Sequence, residues 1–228
     1  MKTVLFDYPK SASFGRVLPK SKIYEHARPS TAVKQLFVRQ VEKIVWQYKL
    51  APETVNMKPT RTVPEIQVFR IALKTGELKH VVLHCIDQAI PFPILYELWY
   101  EGKIQVVASY KRPSEADSSK WLVSDYFESV WLSSETPRPS LPVVLDLETL
   151  YAQILTALMP FPAREGEELQ AQVGRMEQIR SKQRELAKYE TRLHKEKQFN
   201  RKVAINTDLR KLKADIRYLT RRLATVVL

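Results

Sequence analysis

From Val33 onward, apolar residues recur at spacings of three and four: Val33, Leu36, Phe37, Val41, Ile44, Val45 and Tyr48. That period places them on one side of a helix. The pattern therefore predicts one helix over residues 31–51, with Ser30 as its N-cap and Pro52 as its stop. Lys34, Arg39 and Lys43 fall on its polar side. Runs rich in Val, Ile, Phe and Tyr then predict strands over 65–73, 80–86, 94–100, 104–110 and 125–132. Glu101-Gly102 between the third and fourth strands is the tightest hairpin signal in the chain. Connections this short require antiparallel neighbours. Asp146 then opens a helix with the stripe Leu150, Ile154, Leu155 and Leu158. The fold class expected is α+β: an antiparallel β-sheet meander packed with helices, followed by a long basic C-terminal helical or coiled-coil hairpin segment.

That last segment has its own rhythm. Ile205, Leu209, Leu212, Ile216, Leu219 and Leu223 alternate by four and three, the spacing of a coiled-coil seam. Met176, Ile179, Gln183, Leu186, Glu190 and Leu193 keep the same rhythm with two polar members. Between the two seams the phase breaks, and Phe199 and Val203 make an apolar pair one turn apart. Two structures satisfy this pattern: a helical hairpin folding back near Phe199-Asn200, which the similar half-lengths favour, or one continuous helix paired with a partner chain.

Composition sharpens the division. Thirteen of the 14 prolines lie at or before Pro160. Residues 1–162 hold 20 Lys+Arg against 16 Asp+Glu, and residues 163–228 hold 17 against 9, so the smaller part carries +8 of the total +12. The expected domains are an α+β body over 1–162, with an extended N-terminal arm, and a basic helical part over 163–228. Within that arm, the segment LPKSKIYEH (18–26) is expected to pack as an edge of the fold or to make a basic contact. A net charge of this sign draws the chain toward polyanions. No apolar run approaches 18 residues, and Asp7 and Pro9 interrupt the only apolar stretch near the N-terminus, so a cytoplasmic location is expected. The single cysteine, Cys85, permits no internal disulfide and no cysteine-based zinc site.

The polar residues offer few constellations for chemistry. No glycine-rich phosphate loop, HExxH, GxSxG or CxxC motif is present. His80 and His84, on a strand, would stand about 13 Å apart, too far to share a zinc ion. Glu65, Asp87, Glu97 and Lys111, with Lys103 and Arg112 beside them, are the nearest approach to a metal-dependent nuclease, which needs carboxylates converging on a hard cation with a lysine nearby. The cluster YKRPSEADSSKW (110–121) offers Tyr110, Lys111, Arg112, Lys120 and Trp121 as contacts to a nucleic acid or protein partner, with Glu115 and Asp117 available to neutralise the cations. The densest positive surface lies in the tail, at Lys195, Lys197, Arg201, Lys202, Arg210, Lys211, Lys213, Arg217, Arg221 and Arg222. No cofactor and no metal are expected.

Six blocks carry a family resemblance: LPKSKIYEH (18–26), WQYKLAPETVNM (46–57), VPEIQVFRI (63–71), IDQAIPFPILYEL (86–98), SYKRPSEADSSKW (109–121) and EKQFNRKVAINTDLRKLKADI (196–216). In order and coverage they resemble the bacterial domain-of-unknown-function family numbered 4391. The resemblance assigns no catalytic residue. It implies an accessory protein of a DNA restriction or phage-defence system, working beside a helicase or DNA methyltransferase. The function expected is therefore a non-enzymatic adaptor that docks such a partner and contacts DNA through its basic tail. The alternatives are the metal-dependent nuclease and a self-associating structural protein, homodimeric through its C-terminal helices, that does not bind nucleic acid.

Overall fold

The computed structural model describes residues 4–117 and 120–221. Contacts divide the chain into two units, Met1–Met159 and Pro160–Leu228. In the first, a 3-10 turn (Lys10–Ala12) precedes β1 (Ser13–Val17), α1 (Lys20–Ala27), α2 (Thr31–Gln40), β2 (Val41–Leu50) and the single turn α3 (Pro52–Val55). Then come β3 (Ile66–Leu73), α4 (His80–Ala89), β4 (Ile94–Tyr100), β5 (Lys103–Pro113), β6 (Trp121–Glu128), β7 (Leu132–Ser133) and α5 (Leu147–Leu158). The strands form one sheet in the order β1-β2-β3-β4-β5-β6, with β7 beside β5.

The α+β class stands, and three local expectations change. The helix expected over 31–51 ends at Gln40, and the chain passes directly into β2. Ser30 does cap it, accepting from the Val33 amide at 3.4 Å. The segment VEKIVWQYKL is rich in β-branched and aromatic residues, and it pairs with β1 on one side and β3 on the other. Two flanking ladders override a helical period that the same apolar positions also satisfy.

The strand expected over 80–86 is instead α4. Its buried residues Val82, Leu83, Cys85 and Ile86 follow a helical face, not a two-residue alternation. The helix turns the link between β3 and β4 into a crossover, so these two strands pair in parallel while the other pairs are antiparallel. His80 and His84 therefore sit one helical turn apart, not about 13 Å apart. His80 Nε2 lies 2.5 Å from Glu128 Oε1, and His84 Nε2 lies 3.2 Å from the Gln88 amide nitrogen. The strand expected over 125–132 is shifted N-terminally, as β6.

The edge strand β1 is largely exposed, whereas both faces of the central strands β3, β4 and β5 are buried. On one, Phe69 and Ile71 of β3, Tyr96 and Leu98 of β4, Val107 of β5 and Tyr126 of β6 pack with α4, Ile23 of α1 and Phe37 of α2. The alternate residues Val68, Leu95, Val106, Ala108 and Phe127 are buried as well, outside that cluster. The segment 18–26 contributes α1, whose Ile23 joins the core, so packing explains its apolar residues. The hairpin between β4 and β5 turns on Glu101 and Gly102 at φ of 45° and 71°, the left-handed pair a two-residue turn requires.

The second unit contains α6 (Leu169–Lys195) and α7 (Phe199–Thr220), two long helices in contact with each other and joined by three residues. Val173, Met176 and Ile179 of α6 and Ile205, Leu209 and Leu212 of α7 are buried, whereas Gln183 and Glu190 are exposed. Lys182 meets Asp215 at 2.6 Å and Lys213 meets Glu190 at 3.2 Å across the pair. The open end is tied by Arg175, which donates to both Glu167 carboxylate oxygens at 2.6 Å, to the Pro162 carbonyl at 2.8 Å and to the Leu219 carbonyl at 3.2 Å. Leu223, the last seam residue, and Arg222 lie outside the described residues.

Candidate functional site

Of the four nuclease-type candidates, the fold brings only Asp87 and Lys111 together. Asp87 is in the last turn of α4, and Lys111 is on β5. Lys111 Nζ lies 3.1 Å from Asp87 Oδ1, 2.6 Å from the Asp87 carbonyl and 2.5 Å from the Ile90 carbonyl. All three ammonium donors are thereby used. Asp87 Oδ2 accepts from the Tyr126 hydroxyl at 2.5 Å. The two charged side chains are 0% and 1% exposed. Burial pushes the Lys111 ammonium below its ordinary pKa, with Asp87 opposing the shift, and burial together with the Asp87 charge holds the Tyr126 phenol far above its own.

The position has a backbone cause. The last carbonyls of a helix have no partner within it, and a cation there also complements the helix dipole. Lys111 supplies that cation to α4. Nearby, β5 runs past the first residue of β4, which pairs with β5 only from Leu95 onward. The Tyr151 hydroxyl of α5 fills the gap, donating to the Ser109 carbonyl and accepting from the Lys111 amide at 3.0 Å. Every polar group here already has a protein partner, and solvent does not reach Asp87 or Lys111. The arrangement can hold α4, α5 and the end of β5 together, but it offers no nucleophile or metal ligand to a substrate.

The remaining carboxylates stand elsewhere. Glu97 neighbours Tyr96 on β4 and so faces the opposite side of the sheet from α4. There it accepts two bonds from Arg138, at 2.8 and 3.1 Å. Glu65 is bound by the Gln67 amide at 2.5 Å and lies 3.4 Å from Lys49. Among the described residues no three His, Cys, Asp or Glu side chains converge as metal ligands. Lys103 opens β5 at the exposed end of the hairpin, and the Cys85 thiol, buried in α4, is pushed up in pKa by burial.

The 110–121 cluster spans the end of β5, the link to β6 and the first residue of β6. Tyr110 and Lys111 are in the strand, and the Lys111 side chain turns inward. Arg112 pairs with Glu115 at 3.2 Å, and Lys120 with Asp117 at 3.0 Å, so each acidic residue does neutralise a cation. Trp121 is half-buried, opposite Pro113.

The tail cations are arranged differently. Lys195, Lys197, Arg201, Lys202, Arg210, Lys211, Lys213, Arg217 and Arg221 are all exposed. Lys213 is held by Glu190, and Arg217 donates to a backbone carbonyl. Lys195, Lys197, Lys202, Arg210, Lys211 and Arg221 have no carboxylate in ion-pair distance among the described residues, and Arg201 has none that close but lies in the field of Glu196. Four of them flank the reversal between the helices. There Glu196 folds back to accept from the Lys197 and Gln198 amides at 2.9 and 3.0 Å, which stabilises a turn that has neither proline nor glycine. Those two bonds and the extended backbone of Glu196 and Gln198 place the turn at residues 196–198, immediately before Phe199-Asn200, which open α7.

Sequence reasoning missed Tyr126, Tyr151, Arg138, Glu167 and Arg175 as organising residues. Tyr126, Tyr151, Arg138 and Arg175 act through contacts distant in sequence, and Glu167 through Arg164 and Arg175 three and eight residues away. The spacing of Glu167 and Arg175, eight residues apart across the start of a helix, is the nearest to a readable signal.

No curated protein and no solved structure matches the chain. Residues 6–216 match the family described as a domain of unknown function, DUF4391, which covers nearly the whole chain; the protein belongs to that family.

Proposed function

We propose that this protein is a non-enzymatic accessory factor that holds nucleic acid against a partner through the exposed cations of its α6–α7 hairpin. The carrying observation is the run of exposed cations gathered on the hairpin. Lys111, Arg112, Lys120 and Arg138 of the body pair with Asp87, Glu115, Asp117 and Glu97, and Lys34, Arg39, Lys43 and Lys103 stand exposed on it. The hairpin alone collects Lys195, Lys197, Lys202, Arg210, Lys211 and Arg221, exposed and with no carboxylate in ion-pair distance among the described residues. Such a surface binds phosphates by counterion release and carries no base-reading information of its own. Specificity then has to come from the partner. A helicase or DNA methyltransferase is the partner class of this proposal, on the strength of the family resemblance, with the body as the docking element.

The nuclease reading loses its support from the geometry, since its carboxylates face different partners and Lys111 is enclosed. The test is anisotropy of labelled DNA with the full chain and with K195Q/K197Q/R201Q/K202Q. The proposal expects the four substitutions to weaken binding at least tenfold at low salt. Equal binding by both proteins would contradict it.

A further inference from the structure

The reversal between α6 and α7 carries more than charge. Phe199 is the first residue of α7 and is 77% exposed, and Val203, one turn on, is 49% exposed. Neither contributes to the buried seam of Ile205, Leu209 and Leu212. Over residues 192–203 the chain has five Lys+Arg and one Glu, a net of +4. Arg192 and Lys195 close α6, where positive charge complements the helix dipole. Arg201 and Lys202 are in the first turn of α7, which has no acidic residue, and there positive charge opposes the dipole. The Glu196 carboxylate at the turn offsets Arg201, but helix stability explains neither Lys202 nor a bare phenyl ring beside it.

We infer that this tip is a stacking platform for single-stranded nucleic acid: Phe199 receives the face of an unpaired base while Lys197, Arg201 and Lys202 hold the adjoining phosphates. The inference rests on the reading of the hairpin as a nucleic-acid surface and names the form of nucleic acid it takes. An aromatic ring among cations is the combination that binds single strands irrespective of sequence, because every base has a stacking face. A duplex keeps those faces inside its own stack. A second copy of the tip is disfavoured by the shared charge of +4, and one phenyl ring with one valine presents far less apolar surface than an amphipathic membrane-lying helix.

The experiment compares binding of labelled oligo-dT and of a duplex of equal length by the wild-type chain, F199A, F199W and K195Q/K197Q/R201Q/K202Q. Phe199 is outside the packed seam, so F199A should keep the helical circular dichroism of the parent. The inference expects F199A to lose about 5- to 150-fold in affinity for oligo-dT with duplex affinity unchanged. F199W should bind oligo-dT at least as well as wild type, with its added indole fluorescence quenched on binding. Loss of affinity for both DNAs equally, or for neither, would overturn the stacking role. If the four-glutamine variant alone loses affinity, the polyanion surface stands and the platform falls; if it binds like wild type, both fall. Binding of anionic lipid vesicles that F199A abolishes, with oligo-dT affinity unaltered, would assign the tip to a membrane surface and overturn the inference.

Discussion

Replacing Lys111 by methionine keeps most of the side chain's length and removes its charge and its three donors. Asp87 then keeps the phenols of Tyr126 and Tyr96, at a side chain 1% exposed, and the Asp87 and Ile90 carbonyls at the end of α4 lose the ammonium at 2.6 and 2.5 Å. Breaking a buried ion pair from one side costs about 3–5 kcal/mol, because the remaining charge stays desolvated. Each abandoned carbonyl adds up to about 1–3 kcal/mol, less whatever local movement restores to it. A loss of at least about 3–5 kcal/mol, the value left if local movement re-satisfies both carbonyls, is therefore the expectation for K111M, equivalent to at least about 6–20 °C in Tm for a unit of this size. The double variant D87N/K111M removes the stranded charge and should be more stable than the sum of the single losses implies. Urea unfolding followed by circular dichroism gives both values, with the m-value as a check that the folded state is unchanged. A K111M loss below about 1 kcal/mol, or strict additivity in the cycle, would refute the structural role assigned to this pair.

Two further outcomes follow from the same reasoning. Y151F removes the hydroxyl that joins the Ser109 carbonyl to the Lys111 amide, and unfolding should show a loss of about 1–3 kcal/mol with the end of β5 more open to hydrogen exchange; no change in either would show that the strand end is satisfied in another way. Acid should destabilise the hairpin unit through Glu167. The Arg175 guanidinium holds its carboxyl below the usual value of 4.5, so this group's contribution is present above that pH and is lost as pH falls through the lower folded-state value. Comparison of urea unfolding of wild type and E167Q between pH 7 and pH 3 should show a shallower decline in E167Q, and identical declines would remove Glu167 from the account.

The elements most legible in the sequence are those whose local chemistry and tertiary role agree. β4 and the hairpin at Glu101-Gly102 are of this kind, as are the caps at Ser30 and Asp146, the latter accepting from the Thr149 amide at 2.7 Å. The junction at Gln40–Val41 was not legible, because Phe37, Val41 and Ile44 fit a helical stripe and also the core of a helix followed by a strand. For α4, a short apolar run with two valines and an isoleucine satisfies both strand propensity and a helical face, and only the crossover it makes between β3 and β4 decides. Of the candidate site, the exposed tail cations were readable as a charge cluster. The enclosure of Lys111 was not: it depends on α4 ending beside β5, a long-range arrangement that no local spacing encodes. A lysine beside an aspartate in space is a catalytic suggestion only when a substrate can reach it.

If the hairpin cations hold nucleic acid by its phosphates, the affinity must carry the salt dependence of counterion release. Anisotropy of labelled single-stranded DNA should be measured across a salt series, for the wild-type chain and for K195Q/K197Q/R201Q/K202Q. The account predicts a steep linear fall of log K with log salt in the wild type, and a slope shallower by about 0.7 for each single-strand phosphate contact removed. No binding by the wild-type chain at low salt, or a slope that the four substitutions leave unaltered, would contradict it.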